Sequence, residues 1–194
     1  GFVAGMGGSQ KVANGWQSPA IVMSTMVAIA RPQRDVYAFL ADWRNMPSWN
    51  YYILQVIATS PLPLRVGSRL QQTRKEDSQE LRVTALQPEE RVAVETLPPT
   101  RRMEIELTLE PGANGGTVVR ETWTAELGWF LGFLRPILTC TLKPRFDEAV
   151  GMNLGKLKEL LETGSTVLQD KREVRRDASG KWSSHPEGPS SPSL

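Results

Sequence analysis

The sequence predicts an α+β domain in which a curved antiparallel sheet of about six or seven strands is covered by a long C-terminal helix. Three observations indicate this fold: an amphipathic helix followed by a Trp-rich turn at residues 30–50, a run of short alternating segments at residues 53–127, and an apolar segment with near-helical spacing at residues 129–162. A chain of 194 residues suffices for one such domain with tails. We expect a flexible Gly-rich leader at 1–19, the domain at 20–163 and a disordered tail at 164–194.

The first strand and two short helices are predicted at residues 20–50. Residues 20–30 are apolar and β-branched and stop before Pro32, which favours a strand, although a helix is the competing interpretation. Pro32 suits a first helical turn, and the spacing i, i+3, i+4, i+7 then places four apolar residues on one helical face. These residues are Val36, Phe39, Leu40 and Trp43. Asn45 and Pro47 end this helix, and Trp49 turns back toward the core.

Six further strands are predicted, at residues 53–59, 68–75, 80–86, 91–97, 101–109 and 117–127, with hairpin-like connections between the last four. Residues two apart on a strand share a face, so alternation separates an apolar inner face from a polar outer face. The apolar inner positions include Val83, Val94, Met103, Ile105, Leu107 and Trp123.

Four polar or amphipathic residues are predicted to lie on the inner face of the sheet, because each is an even number of positions from an apolar inner residue on its strand. Trp123 is either a pocket wall or ordinary core. Glu121 is either a cavity carboxyl with a raised pKa, able to act as a general acid or base, or an exposed acid at a strand end. Gln72 and Arg74 share the parity of Leu70 and either contact a polar ligand group or form a partly solvated cross-strand pair.

The long apolar segment is expected to cover the sheet. Pro136 and Pro144 predict a break or kink, with the final helix running from about residue 143 to 162 and ending at Gly164. Its first part begins at Gly128 and ends at Leu142, and it either packs on the sheet or forms a lid or a transient membrane contact. It contains Phe133 and Ile137. Beyond Gly164 the Ser, Pro, Gly and charged residues predict disorder.

Composition excludes several classes of function. A net charge of +2 gives no global attraction to nucleic acid, and the basic run at residues 171–176 is expected to be a solvated charge run. A single histidine, His185, removes Ser-His-Asp, Cys-His and most zinc chemistries, so neither a cofactor nor a metal is expected.

Cys140 is the one cysteine, and its apolar neighbours predict a buried thiol in a reducing compartment. With no secretory signal visible, the expected location is cytoplasmic.

Three segments carry a resemblance to a known family: RPQRDVYAFLADWRNMPSW, GTVVRETWTAEL and NLGKLKELLE. They resemble the polyketide cyclase/dehydrase-like branch of the SRPBCC superfamily, which has the helix-grip, START-like fold. The resemblance covers roughly residues 20–162 and implies a cavity between the sheet and the long helix that binds lipids, isoprenoid quinones, polyketides or other apolar molecules. It also places Trp49 and Tyr52 at one end of that cavity.

The leading interpretation is therefore a cofactor-free protein that binds a small hydrophobic ligand. An enzyme of the cyclase/dehydratase type, with Glu121 and Arg74 as catalytic candidates, is the first alternative, and a membrane-docking lipid carrier is the second. The expected ligand contacts are Trp49, Tyr52, Gln72, Arg74, Val83, Val94, Met103, Ile105, Leu107, Trp123, Phe133 and Ile137.

Overall fold

A seven-stranded antiparallel sheet forms most of the domain in the computed structural model, which describes residues 19–127, 132, 134–177 and 182–185. The strand order is β1-β7-β6-β5-β4-β3-β2. The bounds are β1 (Ala20–Ile29), β2 (Ile53–Ala58), β3 (Arg69–Arg74), β4 (Ser78–Gln87), β5 (Arg91–Thr96), β6 (Met103–Pro111) and β7 (Thr117–Glu126). The predicted α+β helix-grip fold is confirmed, and residues 20–29 form a strand rather than a helix.

Two short helices follow β1, as the sequence predicts. Helix α1 (Gln33–Leu40) begins after Pro32, whose carbonyl oxygen accepts the amides of Asp35 at 3.0 Å and Val36 at 3.2 Å. Pro32 thus caps the helix instead of lying in its first turn. The second element is a 3-10 helix (Trp43–Ser48) that contains Pro47. Val36, Phe39, Leu40 and Trp43 are all buried. Because α1 ends at Leu40 and Trp43 begins the 3-10 helix, the shared helical face is confirmed for the first three residues and is wrong for Trp43.

Alternation along the strands separates the two faces of the sheet. The inner face carries buried aliphatic side chains, and the outer face carries arginine–glutamate pairs. Arg91, for example, contacts both Glu104 and Glu106 across β5 and β6. One wet and one covered face is the expected arrangement for an antiparallel sheet in a two-layer domain.

The covering helix is longer and more continuous than the sequence predicts. Helix α2 (Arg135–Thr163) runs through Pro144 without ending, so the expected start near residue 143 is wrong. Pro136 lies in the first turn, where a missing N–H has no cost, and Pro144 removes a single backbone donor. The predicted stop is confirmed: Gly164 has φ +83°, and its N–H bonds the Leu160 carbonyl at 2.9 Å.

Only the second half of α2 packs on the sheet. Phe146, Val150, Leu154, Leu157 and Leu160 are buried, whereas Ile137 is 61% exposed and Cys140 is exposed. The expectations that the described part of this segment packs on the sheet and that Cys140 is buried are therefore wrong. A helix of 29 residues is ~43 Å long and a ten-residue strand ~33 Å, so α2 cannot lie on β1 over its full length.

The segment after α2 is ordered where we expected disorder. Strands β8 (Ser165–Val167), β9 (Glu173–Arg176) and β10 (Trp182–His185) form a second antiparallel sheet. Leu168 and Val174 join the main hydrophobic core, and the Arg172 guanidinium donates to the carbonyl of Tyr51 at 2.9 Å. A tail that adds apolar side chains to an existing core needs no core of its own, which composition alone does not reveal. Residues 1–18 and 186–194 lie outside the described residues.

Among the helices of the described residues, none combines the length and the hydropathy that crossing a lipid bilayer would require.

Candidate functional site

Polar side chains are buried among the apolar ones on the inner face of the sheet. Glu121 on β7 lies opposite Leu107 on β6 and Thr25 on β1. Gln72 on β3 lies opposite Gln79 on β4. Glu121, Gln72 and Gln79 are all buried. We call these three side chains the inner polar set.

Glu121 is the most chemically distinctive member of this set. Its side chain is 1% exposed, its Oε1 accepts the indole N–H of Trp123 at 2.7 Å, and its Oε2 has no hydrogen-bond partner among the described residues. Burial raises the pKa of this carboxyl from 4.5 to about 7, and the Trp123 bond partly offsets the rise. The exposed-acid interpretation from sequence is therefore wrong.

Trp123 connects this carboxyl to the covering helix. Its ring meets that of Phe146 edge-on, with 5.4 Å between centroids and 79° between planes. It lies opposite Ile105 on β6 and Met23 on β1, and it is half-buried. Glu121 thus lies on the sheet next to the point where the packed half of α2 begins.

Gln79 is a buried residue that the sequence interpretation missed. Both its Nε2 and its Oε1 lack hydrogen-bond partners among the described residues, whereas Gln72 accepts the indole N–H of Trp43 at 3.3 Å. An unpartnered buried amide is rare enough to require an explanation. The predicted strand begins at residue 80, and extending it by one residue gives Gln79 the inward parity of Leu81.

Arg74 and Tyr52 form a more exposed cluster at the other side of the sheet. The Arg74 guanidinium donates two hydrogen bonds to Asp77, at 2.6 and 2.5 Å, and lies 5.9 Å from the ring centroid of Tyr52. These bonds lower the pKa of Asp77. In the sheet order β3 and β7 are four strand spacings apart, ~19 Å along the sheet, so Arg74 and Glu121 are not brought together as a catalytic pair.

The other predicted contacts divide into core, rim and exposed positions. Trp49 is fully buried, Met103 and Tyr52 are half-buried, and Ile137 is exposed on the first half of α2. Phe133 lies outside the described residues. The remaining aliphatic positions belong to one hydrophobic core: Val83, Val94, Ile105 and Leu107.

Two clefts lie away from the inner face, on either side of α1. One, of about 800 Å³, lies between α1, the end of α2 and the second sheet. The other, of about 720 Å³, lies between α1 and the loop that contains Leu62 and Pro63. None of the predicted ligand contacts that the structure describes lines either cleft. Within the described residues, no three His, Cys, Asp or Glu side chains are grouped in a way that could hold a metal ion.

The raised pKa of Glu121 predicts a specific dependence of stability on pH. Between pH 4.5, the ordinary value, and about 7, the folded protein binds more protons than the unfolded chain. The free energy of unfolding should therefore fall as pH rises through this range, by at most about 3 kcal/mol from this group. Replacing Glu121 by Gln should remove that part of the slope in urea unfolding measured from pH 4.5 to 8.

The matched control for this measurement is Glu110→Gln, because Glu110 is exposed near the end of β6. This variant should keep the slope of the parent protein. A slope in Glu121→Gln equal to that of the parent would show that Glu121 does not titrate in this way.

Solved structures with this fold match the chain at low identity. One is the Aha1 dimer from Colwellia psychrerythraea, with a TM-score of 0.51 and 19% sequence identity, where the match covers 74% of this chain and 98% of that chain. Another is DynU16, a putative protein in the dynemicin biosynthetic locus, with a TM-score of 0.54 and 18% identity, where the match covers 74% of this chain and 48% of that chain. The di-domain ARO/CYC StfQ from the steffimycin biosynthetic pathway also matches, with a TM-score of 0.55 and 13% identity over 72% of this chain and 50% of that chain. This chain therefore spans about half the length of DynU16 and of StfQ. At these identities the likeness establishes the fold.

No protein with a curated description matches the sequence. The family model described as polyketide cyclase / dehydrase and lipid transport matches residues 20–162, which is well over half of the chain. This agrees with the resemblance in the three sequence segments and with the seven-stranded sheet and long helix. The chain therefore belongs to the polyketide cyclase / dehydrase and lipid transport family of the SRPBCC type.

Proposed function

We propose that the protein binds a small hydrophobic ligand, of the lipid, isoprenoid or polyketide type, between the inner face of the sheet and the packed half of α2. The observation that carries this proposal is the buried, partly unpartnered inner polar set within an otherwise apolar surface. Apolar contact would supply the affinity, and a few placed polar atoms would orient the ligand.

The energetics of the polar atoms support this proposal. A buried polar group with no partner costs about 1–3 kcal/mol. Gln79 presents a donor and an acceptor in this state, and Glu121 presents Oε2. The strand register places Glu121 level with Leu86 of β4, ~23 Å along that strand from Gln79 and three strand spacings away. A small ligand with a polar atom on an apolar body would therefore provide the missing hydrogen bond at one of these two positions and would remove the cost there.

The distribution of exposure favours an entrance at one end of the sheet. Along β7, Val119 and Glu121 are buried, whereas Trp123 is half-buried; along β6, Leu107 is buried and Met103 half-buried. Accessibility therefore rises toward the strand ends near residues 103 and 125. We propose that the ligand enters there, with Trp123 between solvent and Glu121.

A neutral fluorescent probe, N-phenyl-1-naphthylamine, tests binding and its link to Glu121. Fluorescence titration should show weaker binding at pH 8.5 than at pH 5.5, because contact with an apolar molecule further disfavours the ionised form of Glu121. If binding raises the pKa of Glu121 by one further unit, the affinities differ roughly tenfold. Glu121→Gln should bind equally well at both pH values.

Glu110→Gln is again the matched control and should keep the pH dependence of the parent protein. Absence of probe binding by the folded parent protein would overturn the proposal. A pH dependence unchanged in Glu121→Gln would remove Glu121 from the site.

The second candidate is a cyclase or dehydratase that uses the same interior, and the pKa of Glu121 near 7 favours it. The ionised carboxylate would remove a proton from a carbon between two carbonyls, and the resulting enolate would attack another carbonyl of the same chain. The alkoxide formed would take the proton back from Glu121, and later loss of water would complete dehydration.

This candidate predicts that Glu121→Gln abolishes ring closure of a poly-β-ketone while still binding the neutral probe. Product analysis by mass spectrometry after single-turnover incubation would measure it. An unchanged rate of ring closure in Glu121→Gln would exclude Glu121 as the general base.

Transient membrane contact through the segment from Gly128 to Leu142 is a further proposal, which the lipid carrier alternative requires. Residues 128–131 and 133 lie outside the described residues. The exposed apolar side chains of Ile137 and Leu142 beside Arg135 and Lys143 support it.

A cytoplasmic location is likewise proposed, supported by the single cysteine of the sequence.

A further inference from the structure

Strand β1 (Ala20–Ile29) forms one edge of the seven-stranded sheet, because within the described residues it pairs with β7 and with no other strand. It is 10 residues long, contains no charged residue and no proline, and keeps an unbroken register with β7. Natural proteins usually protect an edge strand with a charge, a proline, a bulge or a short length, because an unprotected edge can pair with a strand of another chain. β1 has none of these protections.

The hydrogen bonds between β1 and β7 determine which backbone groups of β1 point away from the sheet. Pro19 precedes β1 and Leu127 follows β7 in the same register, and the Leu127 N–H donates to the Pro19 carbonyl at 2.8 Å. In an antiparallel ladder, directly opposite residues are hydrogen-bonded at every second position. The odd-numbered residues of β1 therefore bond to β7, and the even-numbered residues direct their N–H and C=O groups toward the free edge.

Helix α2 uses these outward groups only at the end of β1. The Lys158 ammonium donates to the Ala28 carbonyl at 2.8 Å, and Glu162 Oε1 accepts the Ala30 N–H at 2.7 Å. Both bonds agree with the outward direction of the even-numbered residues. In the part of the chain that the structure describes, no hydrogen bond uses the outward N–H or C=O of the three even-numbered residues before them. These are Val22, Ser24 and Met26.

The same three residues place apolar side chains on the outer face of the sheet. Val22 is 57% exposed and Met26 is 58% exposed, and Ser24 lies between them on the same face. On the neighbouring strand Arg120 lies opposite Met26, with its Nη2 3.5 Å from the Met26 sulfur. A long, exposed and apolar edge strand is a predicted site of association with another chain.

The opposite edge of the sheet has the protections that β1 lacks. Strand β2 (Ile53–Ala58) has only 6 residues, and its register with β3 shifts between Ile53 and Gln55. The Arg172 guanidinium also donates to the Ile53 carbonyl at 3.4 Å. A short length and a bulge both disfavour pairing with a further strand. Of the two edges, β1 is therefore the one that is open to another strand.

We propose that β1 pairs antiparallel with β1 of a second copy of this chain, about a two-fold axis at Ser24. Ser24 then lies opposite Ser24 of the second copy, and Val22 lies opposite Met26 of the second copy. Each of these pairs of outward residues exchanges two backbone hydrogen bonds, and the two-fold axis generates three such pairs. The exposed side chains of Val22 and Met26 cover one another across the new strand pair.

A second copy is the occupant that the charges of this edge favour. Charged side chains keep an edge strand from pairing with its own copies, and β1 has none, so no like charges meet within the strand pair. The two Arg120 side chains start three strand spacings and four residues apart, ~20 Å, which is beyond the screening length of about 8 Å. The contact of Val22 with Met26 is also reciprocal, as a two-fold interface requires.

Sedimentation velocity of the full chain tests this pairing. Because two edge strands form a small interface, we expect a monomer–dimer equilibrium that depends on concentration between about 1 and about 200 µM. Two double variants, Val22→Glu/Met26→Glu and Val22→Lys/Met26→Glu, remove the same apolar side chains. The first places like charges opposite each other twice in the dimer, and the second places opposite charges there. The dimer of the first should therefore be at least about tenfold weaker than that of the second.

Ile57→Glu is the matched control, because Ile57 is a 50% exposed apolar residue on the other edge strand. It should form a dimer like the parent protein, and near-ultraviolet circular dichroism verifies the folding of each variant. If Val22→Glu/Met26→Glu fails to fold, Val22→Lys/Met26→Lys repeats the like-charge test with the other sign. The proposal is overturned if the parent protein stays monomeric over this range, if the like-charge and opposite-charge variants dimerise equally, or if Ile57→Glu dissociates as the like-charge variant does.

Discussion

The exclusion of water from the inner face of the sheet is the constraint on which the rest of this structure depends. The seven-stranded sheet presents one apolar face, and that face has to be covered by another element. The second half of α2 does this with Leu154, Leu157 and Leu160, each fully buried and each contributing about 1.5–3 kcal/mol. The segment after α2 extends the cover with Leu168 and Val174.

The chemistry of the interior follows from the same exclusion of water. Glu121 has an unusual pKa because burial in this interior removes solvent from it, and the single hydrogen bond from Trp123 only partly compensates for that loss. In an exposed strand the same carboxyl would be an ordinary surface acid. A carboxyl that changes its charge near neutral pH within an apolar interior can distinguish neutral from charged ligands, or can move a proton. Both proposed functions use this one property, and they differ in whether the ligand reacts.

The sequence predicts the fold well because the fold depends on periodic patterns. The alternation of residues in β4, β6 and the first half of β7, the face shared by Val36, Phe39 and Leu40 in α1, and the stop at Gly164 are all local signals, and the structure confirms them. The errors concern the depth at which side chains are buried and the length of α2. Parity assigns Glu121 to a face but does not reveal whether a helix lies above it, and Pro144 predicts a break that the remaining hydrogen bonds of α2 prevent.

The tail and the cleft between α1, the end of α2 and the second sheet could not be predicted for a related reason. Composition describes whether a segment could fold by itself, whereas residues 165–177 are ordered by contacts with a core that is already present. The cleft joins Phe39, Leu161 and Trp182, which are far apart in sequence and acquire their relation only when β10 returns to α1.

The most direct test of the central claim is a crystal structure of the protein purified from its own source without detergent, so that a bound molecule is retained. The account predicts electron density for a small apolar molecule between the sheet and α2, with a polar atom within hydrogen-bond distance of Glu121 Oε2 or the Gln79 amide. An interior filled by protein side chains alone, with Gln79 and Glu121 bonded to other residues of the chain, would contradict it.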